Sequence, residues 1–203
     1  MNTYFITGIS TDVGKTIVSA ILVEALQADY FKPIQAGELH NCDTQKVQRL
    51  VSNAKSVFHP NSYALQTPMS PHAAAELDKI SVDLKKIKRP KTKNNLVIEG
   101  AGGLMVPLNN SETILDLIQP KDKVIVVSRH YLGSINHTLL TINTLQTKGF
   151  DLALIYSGDE HKSTESIIKK MTGVSVIGRI NDEPYFDKNV IKEYAENFRD
   201  KLI

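Results

Sequence analysis

Close to the N-terminus, the run Gly8-Ile9-Ser10-Thr11-Asp12-Val13-Gly14-Lys15-Thr16 gathers the groups that hold nucleotide phosphates. Backbone N–H groups of such a loop point at phosphate oxygens, and the helix dipole behind them favours anions. Gly14 allows close backbone approach because it has no Cβ. Lys15 offers positive charge to the terminal phosphates, and a hydroxyl such as that of Thr16 can ligate Mg²⁺. The elements that must position these groups lie on either side. Tyr4-Phe5-Ile6-Thr7 reads as a strand, and Ile17 to Ala28 reads as a helix. Strand, glycine-bearing loop, Gly-Lys-Thr and helix is the order of a phosphate-binding loop. The loop is a variant, with five residues between its glycines, Ile9 to Val13, where the strict motif has four. A tight turn with a surface lysine is the alternative reading; the agreement of strand, loop and helix favours the nucleotide site.

Further along, other residues could join this chemistry. Tyr30-Phe31-Lys32-Pro33-Ile34 reads as a second strand, with Pro33 better suited to a strand end than to a central ladder position. Lys32 in that apolar setting needs an anionic partner, unless it snorkels from an edge strand. Asp43 opens a helical pattern marked by Val47, Leu50 and Val51; its position alone suggests an N-cap, with a metal or phosphate role as the alternative. Leu96-Val97-Ile98-Glu99 followed by Gly100-Ala101-Gly102-Gly103 fits a buried parallel strand whose C-terminal end faces a ligand. Glu99 would there serve as a Mg²⁺ ligand beside Thr16, or else simply cap a loop. Leu132-Gly133-Ser134-Ile135-Asn136-His137 starts a helix running to about Lys148, and its first free N–H groups would suit a carboxylate or phosphate.

The remaining chain supplies the scaffold. Residues 58–71 carry Pro60, Pro68 and Pro71 and read as an irregular connection leading into a helix at Ala73 to Leu77, with His72 at its entrance. Val124 to Val127, Leu152 to Tyr156 and Val174 to Ile180 read as strands, with helices near Thr164 to Met171 and Asp187 to Leu202. This alternation predicts an α/β fold, a mostly parallel sheet with helices on both faces, in a single domain over residues 1–203. A net charge of +2 gives no overall electrostatic case for nucleic acid or membrane. The six basic residues between Lys85 and Lys93 read as a solvated helix end and loop, without interleaved aromatics that would stack on bases. No apolar run approaches the roughly 20 residues of a membrane span. The N-terminus does not resemble a signal peptide, and the single cysteine, Cys42, suggests a reducing compartment. A cytoplasmic protein is expected.

Taken together, these segments resemble dethiobiotin synthetases. The resemblance is carried in order by Thr7-Gly8 through Gly14-Lys15-Thr16, Lys32-Pro33-Ile34, Asp43, Ser70-Pro71-His72, Glu99 to Gly103 and Leu132 to His137. It implies a homodimer of P-loop subunits that converts 7,8-diaminopelargonate, CO₂ and ATP, with Mg²⁺, into dethiobiotin, ADP and phosphate. One substrate amine becomes a carbamate, the carbamate takes the γ-phosphoryl group, and the second amine closes the ureido ring. The resemblance assigns catalysis to Lys15 and Lys32, and Mg²⁺ to Thr16, Asp43 and Glu99, which reverses the cap reading of Asp43. It assigns nucleotide contacts to Asp12, Val13, Gly14, Lys15, Thr16, Ile17, Asp43, Glu99, Gly100, Ala101 and Gly102. Substrate contacts fall to Thr11, Lys32 and Ala36, and, from the neighbouring subunit, to Gly133, Ser134, Ile135 and Asn136.

The chain departs from the family pattern in places. Asp12 stands where glutamate is frequent, and Ala36 where a hydroxyl residue is common. Gly158-Asp159 replaces an Asn-Asp whose asparagine reads adenine, and Ile180-Asn181 replaces Ile-Pro. Weaker discrimination for adenine is therefore expected. Two other functions share part of the pattern. Partitioning and cell-division ATPases match at Gly14-Lys15-Thr16, yet typically carry another lysine where Ser10 stands and have no evident use for Lys32-Pro33. Amidating ligases of cobalamin synthesis usually add a glutaminase domain, for which 203 residues leave little room.

Overall fold

Seven parallel strands form the central sheet in a computed structural model that describes residues 1–202. In chain order the strands are β1 (Thr3–Gly8), β2 (Asp29–Phe31), β3 (Ile34–Ala36), β4 (Phe58–His59), β5 (Tyr63–Leu65), β6 (Leu96–Gly103), β7 (Lys123–Arg129), β8 (Asp151–Ser157) and β9 (Ser175–Ile180). The helices are α1 (Lys15–Leu26), α2 (Asp43–Leu50), α3 (Pro71–Leu77), α4 (Ser134–Thr147), α5 (Lys162–Thr172) and α6 (Lys188–Leu202). The sheet order is β4-β2-β6-β1-β7-β8-β9, and β3 pairs with β5 in a separate two-stranded sheet.

The order explains where a site must form. From the centre, the crossover through α1 runs to one side, from β1 to β2, and that through α4 runs to the other, from β7 to β8. Right-handed crossovers leaving in opposite directions put their helices on opposite faces. Accordingly α1, α2 and α6 pack together, and α4 packs on α5. Strands covered on both faces read as continuous apolar runs, as Val124 to Val127 does, and all four of those residues are buried. The C-terminal ends of β1 and β6 lie side by side near the middle of the sheet, at the edge where such folds bind ligands.

The mostly parallel sheet and the order of helices follow the sequence reading, with four corrections. The strand expected over Tyr30 to Ile34 is two strands. Proline has no N–H to give a ladder, so the chain leaves the main sheet after Phe31 and resumes as β3 in the small sheet. The irregular connection expected over residues 58–71 contains β4 and β5, each too short to show a period. The glycines expected to follow the Leu96 to Glu99 strand belong to β6 itself, with Gly103 paired to Gly8 across a register shift. Helix α1 begins at Lys15, two residues before the expected start, because the loop turns directly into it.

Two clamps outside the site hold the site-bearing elements. On α1, Glu24 accepts hydrogen bonds from the Ser52 and Asn53 backbone N–H groups, the Ser52 hydroxyl and the Asn53 amide, fixing the chain after α2 onto α1. At the last residues described, Tyr4 donates to the Leu202 carbonyl at 2.7 Å, which ties α6 under the sheet.

Candidate active site

The site is built where β1, β2 and β6 end. Gly14 precedes α1 with φ of 93°, a left-handed conformation open to glycine, and a Cβ there would stand 2.8 Å from the Ser157 hydroxyl. Lys15 is the first residue of α1; its ammonium donates to the Ser10 carbonyl at 2.9 Å, so the lysine folds back over its own loop. Thr16 follows and donates to Glu99 Oε1 at 3.1 Å. Glu99 reaches this place because β6 pairs with β1 in a register that sets it opposite Ile6.

Strand β2 pairs with β6 on its other side, Tyr30 opposite Val97 and Phe31 opposite Ile98. One step further the register brings Lys32 beside Glu99, where Pro33 turns the chain away. The Lys32 ammonium donates to Glu99 Oε1 at 2.9 Å and to Asp43 Oδ2 at 2.5 Å. Asp43 comes from the first turn of α2. Cys42, not Asp43, occupies the N-cap, so Asp43 is not the cap that its position suggested. The Asp43 N–H donates to Gln35 Oε1 at 3.2 Å, which orients the helix entrance. Tyr30 completes the cluster, its hydroxyl donating to Glu99 Oε2 at 2.9 Å.

Burial and charge set the protonation of these groups. Lys32 and Glu99 are 5% and 1% exposed. Burial alone would lower the Lys32 ammonium, but the Glu99 and Asp43 carboxylates beside it outweigh that and raise it above its ordinary value. Burial likewise opposes the charged form of Asp43, yet Lys32 next to it holds the carboxyl below its usual range. Lys15 has no such ion pair. Burial lowers it to about 8, against the pull of Glu99. One lysine is thus locked in an ion pair, and the other is a cation held in a poorly solvating place.

These residues line a cleft of about 1240 Å³. Thr11, Asp12, Gly14, Lys15, Thr16, Ile17, Lys32, Ala36, Asp43, Glu99, Ala101 and Gly102 all face it, as the sequence led one to expect. Val13 does not; its side chain is in the core beneath the loop. Gly100 does not either; a Cβ there would point at Ile114 and Phe5, away from the cleft. Gly133, Ser134, Ile135 and Asn136 lie outside the cleft at the start of α4, where all but Ser134 are exposed. His72 is exposed and apart from the cleft. Of the basic stretch, Arg89 forms a two-pronged pair with Asp122 at 2.6 Å, and the five lysines are exposed.

Sequence reasoning missed several lining residues. Lys46, three residues after Asp43 on the same helix face, lies 3.7 Å from its carboxylate and pairs with Glu38 at 2.5 Å. That i, i+3 spacing was the available signal. Gln35 follows directly on Pro33-Ile34. Phe186, Asp187 and Lys188 enter the cleft from the far end of the chain, and no local pattern marked them.

What the arrangement can do is bring anions together. The cleft joins a phosphate-binding loop to two buried lysines and an all-oxygen set, Thr16, Asp43 and Glu99, of the kind that hard cations take. The AAA domain family matches residues 2–190. An ATP-dependent dethiobiotin synthetase BioD of Christiangramia forsetii is 65% identical over 98% of this chain and 97% of its own length. One from Cytophaga hutchinsonii is 46% identical over 96% of each. Among solved structures, the cell division ATPase MinD of Pyrococcus furiosus superposes with a TM-score of 0.63 over 100% of both chains at 12% identity, a likeness of fold alone. By sequence, then, the chain belongs to the ATP-dependent dethiobiotin synthetase family, on a P-loop fold.

Proposed function

We propose that the chain closes the ureido ring of dethiobiotin from 7,8-diaminopelargonate and CO₂, using ATP and Mg²⁺. The observation that carries the reading is Lys32, buried at the sheet edge within reach of both Asp43 and Glu99 and a short distance from the phosphate loop. A nucleotide switch needs the loop; a ligase that must hold a carbamate against a phosphoryl group needs a second fixed cation.

The steps follow from charge. Carbamate and γ-phosphate repel each other, so the barrier falls when cations hold them in line. Loop N–H groups and Lys15 hold the β- and γ-phosphates. Lys32 holds the carbamate oxygen that attacks phosphorus, with ADP as the leaving group. The second amine then attacks the carbamoyl carbon of the mixed anhydride, and phosphate departs. Thr16, Asp43 and Glu99 fit Mg²⁺, because all three present oxygen to the cleft; the bound ion supplies charge neutralisation at the phosphates. Ala36 leaves this work to Lys32 and the loop, since it has no hydroxyl.

A homodimer fits the surface at α4. Leu132 is fully exposed, and Tyr131 and Leu140 are exposed with it, beside Gly133 to Asn136. We assign this face to the neighbouring subunit's cleft, where the start of α4 would take the substrate carboxylate. Leu132→Asp should then yield a monomer with a KM for the diamine raised at least about tenfold, since one charge in an apolar contact costs more than about 1.4 kcal/mol. Sedimentation velocity and initial rates measure both.

Base preference should be broad. Gly158, just after β8, has no side-chain amide; an Arg129–Asp182 pair at 2.9 Å crosses it instead, and a Cβ there would lie 3.3 Å from Asp182. CTP and GTP should compete with ATP at comparable concentrations. A strong preference for ATP in that competition would contradict the assignment.

The function itself is tested by supplying diaminopelargonate, bicarbonate, Mg²⁺ and ATP. Dethiobiotin should appear by mass spectrometry, and phosphate release should depend on the diamine. Release independent of the diamine would favour a switch ATPase.

A further inference from the structure

Glu99 has two oxygens with separate duties. Oε1 meets Thr16 and Lys32 at the cleft; Oε2 meets the Tyr30 hydroxyl. Nothing in the carboxylate itself makes that division. Its last torsion is broad and two-fold, so either oxygen can turn to the cleft unless a partner selects one. Tyr30 sits on β2 two residues before Lys32, on the same side of the strand, with a ring that is wholly buried and does not line the cleft. A carboxylate can only accept, so the phenol must donate. Because Glu99 is 1% exposed, water does not readily take the phenol's place.

We propose that Tyr30 is a positioning residue: its hydroxyl engages Glu99 Oε2 and thereby commits Oε1, in one orientation, to the cation side of the cleft. The role rests on the assignment of Glu99 to Mg²⁺ made above. A ligating carboxylate is commonly oriented by an outer hydrogen bond, and loss of such a partner costs about 10- to 100-fold in metal affinity or activity. The competing account is a core tyrosine that merely finds a partner for its hydroxyl. Its ring packs beside Phe58, centroids 6.3 Å apart, in the adjacent strand.

Tyr30→Phe separates the two, since it keeps the ring and removes one oxygen. ADP affinity is measured by calorimetry in EDTA and in Mg²⁺. In EDTA the variant should bind ADP within about twofold of the parent protein, because the loop is untouched. The gain in affinity on adding Mg²⁺ should shrink about 10-fold or more, and Mn²⁺ bound in the presence of ADP, read by electron paramagnetic resonance, should fall in step. Phe58→Leu loosens the same packing and leaves the hydroxyl; it should keep the full Mg²⁺ gain. A full gain in Tyr30→Phe, or an equal loss in Phe58→Leu, overturns the positioning role. Absence of any Mg²⁺ gain in the unaltered protein would instead overturn the metal assignment on which the role depends.

Discussion

Lys32→Met should lower turnover by about 10²–10³ while ADP affinity stays within a few-fold of the unaltered protein. The split follows from where the lysine stands. Its ammonium is not part of the phosphate loop, whose N–H groups and Lys15 would remain. It is the cation nearest both carboxylates, and in the proposed reaction it holds the carbamate oxygen, a group that ADP does not carry. Methionine fills similar space without the charge, which isolates electrostatics from packing. A second readout comes from stability. Without the ammonium, Asp43 and Glu99 face each other across a buried gap, 19% and 1% exposed at their side chains. Removing one partner of a buried pair costs about 3–5 kcal/mol, nearer the lower figure here because Asp43 is partly solvated. Thermal unfolding should therefore show a lowered midpoint, and Mg²⁺ with ADP should restore part of it by replacing the lost positive charge. Near-normal turnover would remove Lys32 from the mechanism, whatever the stability.

The sequence disclosed this site unevenly, for physical reasons. The phosphate loop was readable because its function is local: backbone amides, one lysine and one hydroxyl within a few residues. Glu99 was readable because an apolar run ending in a carboxylate and glycines has few other uses. Lys32 was readable as an oddity, a lysine in a strand, but its partners were not, since they depend on which strands pair. Once β2 lies against β6 with Phe31 opposite Ile98, the Lys32–Glu99 contact is nearly forced. Asp43 shows the limit more sharply. Its position at a helix start suggested a cap, and the fold gives that place to Cys42, one residue earlier. Tyr30 had no sequence signal, being an aromatic in an apolar strand. Phe186 to Lys188 depended on the return of the last helix to α1, a contact across most of the chain. The small sheet of β3 and β5 escaped because three-residue strands show no period.

Lys15→Met should weaken nucleotide binding itself, where Lys32→Met does not, and its signature is a pH dependence that disappears. Burial holds the Lys15 ammonium at about 8 in the free protein. A bound phosphate stabilises the charged form, so the value rises when nucleotide binds. Below pH 8 the lysine is charged in both states, and affinity does not depend on its titration. Above pH 8 the free protein is increasingly neutral there, so binding must take up a proton, and affinity falls as pH rises until the bound-state value is reached. The limiting slope is tenfold per pH unit for a single proton. Calorimetry of ADP binding without metal, at pH 9 in two buffers of different ionisation enthalpy, should therefore report net proton uptake approaching one per site. In Lys15→Met that uptake should vanish. Affinity at pH 7 should fall by about 1.5–3 kcal/mol, the range for a hydrogen bond to a charged group, which is roughly 10- to 150-fold. The effect on turnover should be at least as large, because the same ammonium faces charge that grows on the leaving phosphate. Proton uptake that persists in the variant would assign the titration to another group and leave Lys15 as a simple point charge.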